Sequence, residues 1–160
     1  METELYEVAE IGNGRIFIMP KPSYLSIDID MRYYSSMGVD KIISLLEYDE
    51  ADNEGLTNEA DECGNVGIDF EQYPIRDGDI PKMKSFIEFV KKIYSEIYNG
   101  KNIAVHCYAG IGRSGIFTCS LLKMNGLKTD EAVDLVTEKR EYPVPETGEQ
   151  YNFLKQINFT

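Results

Sequence analysis

One short segment of the sequence combines residues that could perform nucleophilic chemistry on a phosphate group. Cys107 is followed six positions later by Arg113, and two of the five residues between them are glycines. An apolar run typical of a buried strand precedes the segment, and an apolar run typical of a buried helix follows it. A loop of this length can turn its backbone N–H groups inward as an anion-binding nest, and the helix start adds its own N–H groups and dipole.

The types of side chain in this loop indicate phosphoryl transfer to a thiolate. The guanidinium of Arg113 could hold two phosphate oxygens at once. With no carboxylate among the donors, the loop would stabilise Cys107 as a thiolate at neutral pH. Such a site needs no metal. The backbone donors of the predicted phosphate cradle are Tyr108, Ala109, Gly110, Ile111, Gly112 and Arg113.

Two other interpretations of the segment explain it less well. Gly110-x-Gly112-x-x-Gly115 matches a dinucleotide-binding fingerprint, and Asp130 follows at about the expected distance. That acid should end a second strand, whereas Asp130 opens a predicted helix. Alternatively the segment is a glycine turn with a core cysteine and a surface arginine. That interpretation does not explain why the only histidine precedes the cysteine or why a serine follows the arginine.

The elements that must position this loop alternate along the chain. The predicted strands cover 16–19, 39–46, 67–75 and 102–107, and the predicted helices cover 50–62, 81–99, 113–125, a segment capped by Thr129, and 148–157. Strands alternating with helices favour a parallel sheet covered on both faces. We therefore predict one α/β domain over residues 1–160, with a central, mostly parallel sheet of about four to five strands flanked by helices on both faces.

The loop and two further segments resemble one enzyme superfamily. His106-Cys107-x5-Arg113-Ser114 resembles the signature of the cysteine-dependent protein tyrosine phosphatases, and its full form is most similar to the compact dual-specificity members. The segment 74–81, with Asp77 lying 30 positions before Cys107, is similar to the loop that carries their general acid. The tail around Gln150 resembles a late helix that presents a glutamine to the site. This resemblance covers most of the chain.

The resemblance implies a role for each matching residue. Cys107 would form a phosphocysteine intermediate, stabilised by Arg113 and the loop amides. Asp77 would protonate the leaving oxygen and then activate water. Ser114 would donate its hydroxyl to the sulfur, or else satisfy a free N–H at the helix start. Asp79 is the rival acid, or a cap or dipole partner of the following helix.

Two supporting residues complete the implied site. We expect His106 to be a strut that fixes the cysteine and its loop rather than a proton carrier. Gln150 would position the attacking water, although an exposed helical glutamine is an equally good interpretation. The resemblance implies neither a metal nor a cofactor.

Charge and composition limit the partners. The net charge is −12, from 16 basic and 28 acidic residues, which disfavours nucleic acid and anionic membranes. No apolar run is long enough to span a membrane, the first residues lack a signal's apolar core, and three cysteines are not a disulfide framework. We therefore expect a cytoplasmic monomer that acts on a phosphorylated protein or peptide.

The substrate class leaves two alternatives. Lipid-phosphatase relatives often carry lysines at the variable loop positions, whereas Tyr108, Ala109 and Ile111 stand there in this chain. A phosphatase of phosphoinositides or other non-protein phosphomonoesters is therefore the less favoured enzyme. A pseudophosphatase that binds phosphoprotein without turnover is the non-enzymatic alternative. The presence of Cys107, Arg113 and Asp77 argues against it.

Overall fold

The structure, a computed structural model, describes residues 3–159. Its strands are β1 (Tyr6–Ile11), β2 (Gly14–Met19), β3 (Lys41–Ser44), β4 (Asp69–Gln72) and β5 (Asn102–His106). They form one sheet in the order β1-β2-β5-β3-β4, in which β1 is antiparallel to β2 and the other pairs are parallel. The predicted single α/β domain with a mostly parallel sheet is confirmed.

Helices cover both faces of the sheet. They are α1 (Ile27–Ser36), α2 (Tyr48–Asn53), α3 (Glu59–Gly64), α4 (Met83–Tyr98), α5 (Arg113–Met124), α6 (Thr129–Arg140) and α7 (Gly148–Gln156). Because side chains alternate along a strand, Ile16 and Ile18 of β2 join the core formed with α4, α5, α6 and α7, whereas Phe17 and Met19 join the core formed with α1 and α3. The expected burial of both faces is confirmed.

The two elements that flank the predicted loop are deeply buried. Residues 103–106 of β5 are fully buried between β2 and β3. All residues of α5 from Arg113 to Leu122 are buried. A strand and a helix enclosed in this way give the connecting loop a rigid base at each end.

Two elements were not predicted from the sequence. The antiparallel strand β1 precedes the first predicted strand and joins it through a tight turn at Gly12, whose φ is +58°. Helix α1 begins in a stretch where apolar and polar residues alternate from Leu25 to Met31. That period of two is typical of a strand, so the sequence pattern does not predict the helix.

The prediction of a single solvated helix over 50–62 is wrong. The structure has α2 and α3 instead, because Gly55 adopts a left-handed conformation (φ +71°) and Leu56 turns into the core beside Leu46 and Ala51. The second of these helices also buries Glu59.

The predicted cap of α6 also needs a small correction. Lys128, not Thr129, is the N-cap of α6, and the Glu131 carboxylate accepts a hydrogen bond from the Lys128 N–H.

Among residues 3–159, none of the helices has the length and apolar character needed to cross a bilayer.

Candidate active site

Cys107 immediately follows β5, at the carboxyl edge of the sheet. His106, the last residue of β5, pairs with Met19 of β2 on one side and Ser44 of β3 on the other. The centre of this edge is where open α/β sheets bind ligands. The loop then turns at Gly110, where φ is +72° and a Cβ would lie 2.4 Å from the Met19 carbonyl oxygen. Only glycine fits there, because both the conformation and the close approach exclude a side chain.

The loop forms one wall of a small cavity of about 90 Å³. Its lining residues are Asp77, Cys107, Tyr108, Ala109, Gly112, Arg113 and Glu146. Six of these seven were candidate site residues. Those six lie up to 36 positions apart in the chain, and the fold brings them together. Glu146 was not predicted. The cavity places the sulfur, the guanidinium and the Asp77 carboxyl around one volume.

Arg140, which was not predicted as a site residue, holds the back of the loop. From α6, its Nε donates to the Gly110 carbonyl at 3.0 Å and its Nη2 donates to the Ala109 carbonyl at 2.9 Å. The guanidinium also lies over the ring of Tyr6, 4.5 Å from the centroid. Because these carbonyls are fixed on the outside of the turn, the loop's N–H groups remain available to an anion.

Arg113 is buried and one edge of its guanidinium is already occupied. Its Nη1 donates to Glu50 Oε1 at 2.7 Å and to the Ile75 carbonyl at 2.9 Å, and its Nη2 donates to Glu50 Oε2 at 2.8 Å. Nη2 also lies 3.3 Å from Asp77 Oδ1. We expected no carboxylate beside the groups that would bind phosphate. That expectation is wrong, because Glu50 and Asp77 both contact Arg113. The bidentate pair orients the guanidinium and leaves its Nε–Nη2 edge for a ligand.

The Glu50–Arg113 pair stabilises both charges. Burial alone would raise the pKa of Glu50, but the hydrogen bond and charge of Arg113 lower it. Burial alone would likewise lower the pKa of Arg113, but the hydrogen bond of Glu50 and the charges of Cys107 and Glu50 raise it. The positive charge in the cavity wall is thus retained although the side chain is removed from solvent.

The two rival acids occupy different positions on the loop between β4 and α4. Asp77 lines the cavity, and its side chain is 69% exposed. Asp79 does not line it, and its carboxylate accepts the N–H of the next residue, Ile80, at 2.8 Å. Since α4 begins at Met83 with Lys82 as its N-cap, the predicted capping role of Asp79 is also wrong.

His106 and Ser114 lie on either side of the 107–113 loop in the sequence, and both are fully buried. Nδ1 of His106 lies 3.1 Å from the Cys107 carbonyl oxygen, and Nε2 lies 2.6 Å from Glu59 Oε2. These contacts fit the expected strut. The Ser114 hydroxyl has no hydrogen-bond partner among residues 3–159. Its donation to the sulfur therefore stays a prediction, and it is not used at the helix start.

Gln150 is fully buried, so the interpretation as an exposed helical glutamine is wrong. Its Oε1 accepts the backbone N–H groups of Glu146 at 3.0 Å and Thr147 at 3.2 Å. Its Nε2 donates to the Asp79 carbonyl at 3.3 Å. The amide therefore links the start of α7 to the loop that carries Asp77, and its action on a water stays a prediction.

The other two cysteines are core residues. Cys63 and Cys119 are fully buried, and burial raises the pKa of each thiol, that of Cys119 to about 12. Both therefore stay protonated at neutral pH and are poor nucleophiles. The described residues also contain no cluster of histidine, cysteine and carboxylate side chains suited to a metal ion.

The fold and the loop after the central strand define the class of protein. A structure of kinase associated phosphatase, with serine in place of its catalytic-site cysteine, matches this fold with a TM-score of 0.86 at 20% identity, over 96% of this chain and 93% of that one. The active form of Tk-PTP matches with a TM-score of 0.73 at 28% identity, over 95% of each chain. This is the protein tyrosine phosphatase fold.

The family follows from the sequence match. The model of the dual specificity phosphatase catalytic domain matches residues 34–158, so the chain belongs to that family. It is similar to cyclin-dependent kinase inhibitor 3 of Mus musculus, at 26% identity over 133 residues. That match covers 82% of this chain and 63% of the relative, so the chain spans less than two thirds of the relative's length. It is also similar to the probable protein tyrosine phosphatase type IVA B of Dictyostelium discoideum, at 30% identity over 96 residues and 56% of each chain.

Proposed function

We propose that the protein is a protein phosphatase that hydrolyses phosphotyrosine through a phosphocysteine intermediate, without a metal. Phosphoserine and phosphothreonine are its candidate second substrates. The observation that carries the proposal is the cavity in which Cys107, the loop of backbone donors, the oriented Arg113 and Asp77 converge. Family membership supports the reaction class.

In the first step the Cys107 thiolate attacks phosphorus and forms the S–P bond while the bond to the leaving oxygen breaks. The loop N–H groups and the free edge of Arg113 stabilise the charge on the equatorial oxygens. Asp77 gives its proton to the leaving oxygen. The free enzyme pairs Asp77 with Arg113 Nη2. A phosphate bound to that nitrogen takes the place of the carboxylate and leaves Asp77 at the edge of the cavity, beside the leaving oxygen.

In the second step water attacks the phosphocysteine. The Asp77 carboxylate takes a proton from the water, and the S–P bond breaks. This step regenerates the Cys107 thiolate and releases inorganic phosphate. The buried Ser114 hydroxyl, without a partner in the described residues, is the available donor to the departing sulfur. Both steps use only groups of this chain and water.

Acidic side chains around the cavity favour a protein over a polyanionic lipid headgroup. Glu50 and Asp77 contact Arg113, and Glu146 lines the cavity beside the loop. These carboxylates repel additional phosphates on the same ligand. A peptide with one phosphorylated side chain brings less negative charge to these carboxylates.

The test measures phosphate release from a phosphotyrosine peptide by the full chain in excess EDTA. We expect turnover at an unchanged rate with and without chelator, because Arg113 and the loop amides replace a metal. Peptides with phosphoserine and phosphothreonine at the same position, and a soluble phosphoinositide headgroup, are compared in parallel. Release from the headgroup alone, or no release from any peptide, would contradict the proposed function.

A further inference from the structure

Exposed apolar side chains concentrate at the edge of the sheet that holds the catalytic cavity. Nine large apolar or aromatic side chains are exposed among residues 3–159. Six of the nine follow the carboxyl ends of the parallel strands, and they are Tyr24, Leu25, Ile29, Tyr48, Ile80 and Tyr108. By contrast, Met37 and Tyr98 lie where α1 and α4 end, at the opposite edge beside the start of β2. Single exposed apolar residues are ordinary, but a group of them around one cavity marks an interaction surface.

Three of these six side chains form one patch at the start of α1, which we call the α1 patch: Tyr24, Leu25 and Ile29. Leu25, which is 78% exposed, precedes the N-cap Ser26, and Ile29 lies in the first turn of the helix. The neighbouring Ile27 packs against the core, whereas all three patch residues point their apolar surface outward. The α1 patch is therefore apolar surface that residues 3–159 leave uncovered.

The α1 patch is continuous with the rim of the catalytic cavity. The Lys21 N–H donates to the carbonyl of Tyr108, a cavity-lining residue, at 3.1 Å, and the Lys21 ammonium lies 5.0 Å from the centre of that ring. Leu25 is four residues from Lys21, a span of at most about 14 Å. The Tyr24 ring covers Gly55, where a Cβ would lie 2.8 Å from its Cγ. A ligand that fills the cavity therefore has the α1 patch directly beside it.

We propose that the α1 patch is the docking site for an apolar side chain of the phosphorylated protein on which the enzyme acts. The inference rests on the proposed function and names the kind of sequence it selects, in which an apolar residue lies about four positions from the phosphotyrosine in extended chain. The contact lies outside the cavity and is the same before and during the reaction. It therefore strengthens substrate binding and lowers KM without raising kcat.

The charge of the protein favours a substrate over the two other occupants that an apolar patch could have. A second copy of the chain also carries a net charge of −12, and the two copies repel each other. An anionic membrane is repelled in the same way, and the exposed Asp28 lies between Leu25 and Ile29. A substrate segment with lysine or arginine next to its apolar residue is complementary to this surface.

The test measures the binding of fluorescent phosphotyrosine peptides to the full-length Cys107→Ser protein by anisotropy. The peptides carry alanine around a central phosphotyrosine and lysine at both ends, and a single leucine replaces each alanine in turn. We expect a leucine about four positions from the phosphotyrosine, on one side only, to lower Kd by about tenfold relative to the alanine peptide. With the active enzyme, the same leucine should lower KM by a similar factor and change kcat by less than about twofold.

Two variants in the Cys107→Ser background locate the effect. Leu25→Ser combined with Ile29→Ser removes the apolar surface, and we expect it to bind the leucine and alanine peptides equally. Tyr24 is left in place because its ring covers Gly55. Met37→Ser is the matched control, since it removes an exposed apolar side chain from the other end of α1, and it should keep the preference for leucine. If circular dichroism shows that the double variant is unfolded, Leu25→Ser alone, outside the helix, takes its place.

The inference would be overturned if no leucine position improved binding, or if the preference survived removal of the patch. It would also be overturned if sedimentation showed wild-type self-association that the double variant loses. Binding to phosphatidylcholine–phosphatidylserine vesicles that depends on the patch would overturn it too, because a membrane would then be the occupant. Binding to Cys107→Ser needs no turnover. An enzyme that released no phosphate from any peptide would therefore refute the proposed function, while the docking comparison would still give its own result.

Discussion

Replacing Cys107 by serine is expected to abolish turnover and leave phosphopeptide binding intact. Serine preserves the size of this nearly buried side chain but does not ionise near neutral pH, so the attacking thiolate is lost. The loop amides, Arg113 and Glu50 do not depend on the sulfur for their positions. Phosphate release should fall by at least about 10⁴-fold, whereas calorimetry should detect binding of a phosphotyrosine peptide.

Cys119→Ala is the matched control, because it removes a thiol from the helix that follows the same loop. Cys119 is buried and protonated, so its loss should lower thermal stability through the cavity it leaves but should not change kcat below the unfolding transition. Residual activity of Cys107→Ser within tenfold of the wild-type rate would refute covalent catalysis by this residue.

Asp77→Asn is expected to have the second largest effect, and its size should depend on the leaving group. A tyrosine oxygen leaves poorly without a proton, so phosphotyrosine hydrolysis should slow by about 10²–10⁴-fold. An activated aryl phosphate departs almost unaided and should be less affected. The pH profile measured with phosphotyrosine should lose the limb that reports the protonated acid.

Asp79→Asn is the control for this prediction, since Asp79 shares the loop but lies outside the cavity. Its carboxylate accepts a hydrogen bond from the adjacent Ile80 N–H, which an asparagine can also accept. The effect on kcat should be small with either substrate. If Asp79→Asn were the slower variant, the general acid would have to be reassigned to Asp79. Equally small effects of both would mean that the acid lies elsewhere.

The sequence was most informative where one short segment determines both structure and chemistry. The strand before Cys107 and the helix after it are buried almost throughout, and the loop between them carries its donors in consecutive positions. Prediction failed where local pattern and tertiary packing disagree. The alternation in α1 resembles a strand, and a single left-handed glycine, Gly55, divides the helix predicted over 50–62.

The residues that hold the site in place could not be found in the same way. Glu50 is 63 positions from Arg113, Glu59 is 47 from His106, and Arg140 is 30 from Gly110. Each is one charged side chain in a stretch with many others, and no spacing rule joins it to the loop. Only the folded chain shows that each of these side chains contacts the loop or a residue beside it.

Direct detection of the phosphocysteine is the measurement closest to the central claim. Asp77→Asn should still form the intermediate from p-nitrophenyl phosphate but should hydrolyse it slowly, because the base that activates water is missing. Rapid denaturation in excess EDTA, followed by peptide mass analysis, should find one phosphate per chain on Cys107 and none on Cys63 or Cys119. Continued turnover with no phosphate on Cys107, or phosphate on another residue, would contradict the mechanism.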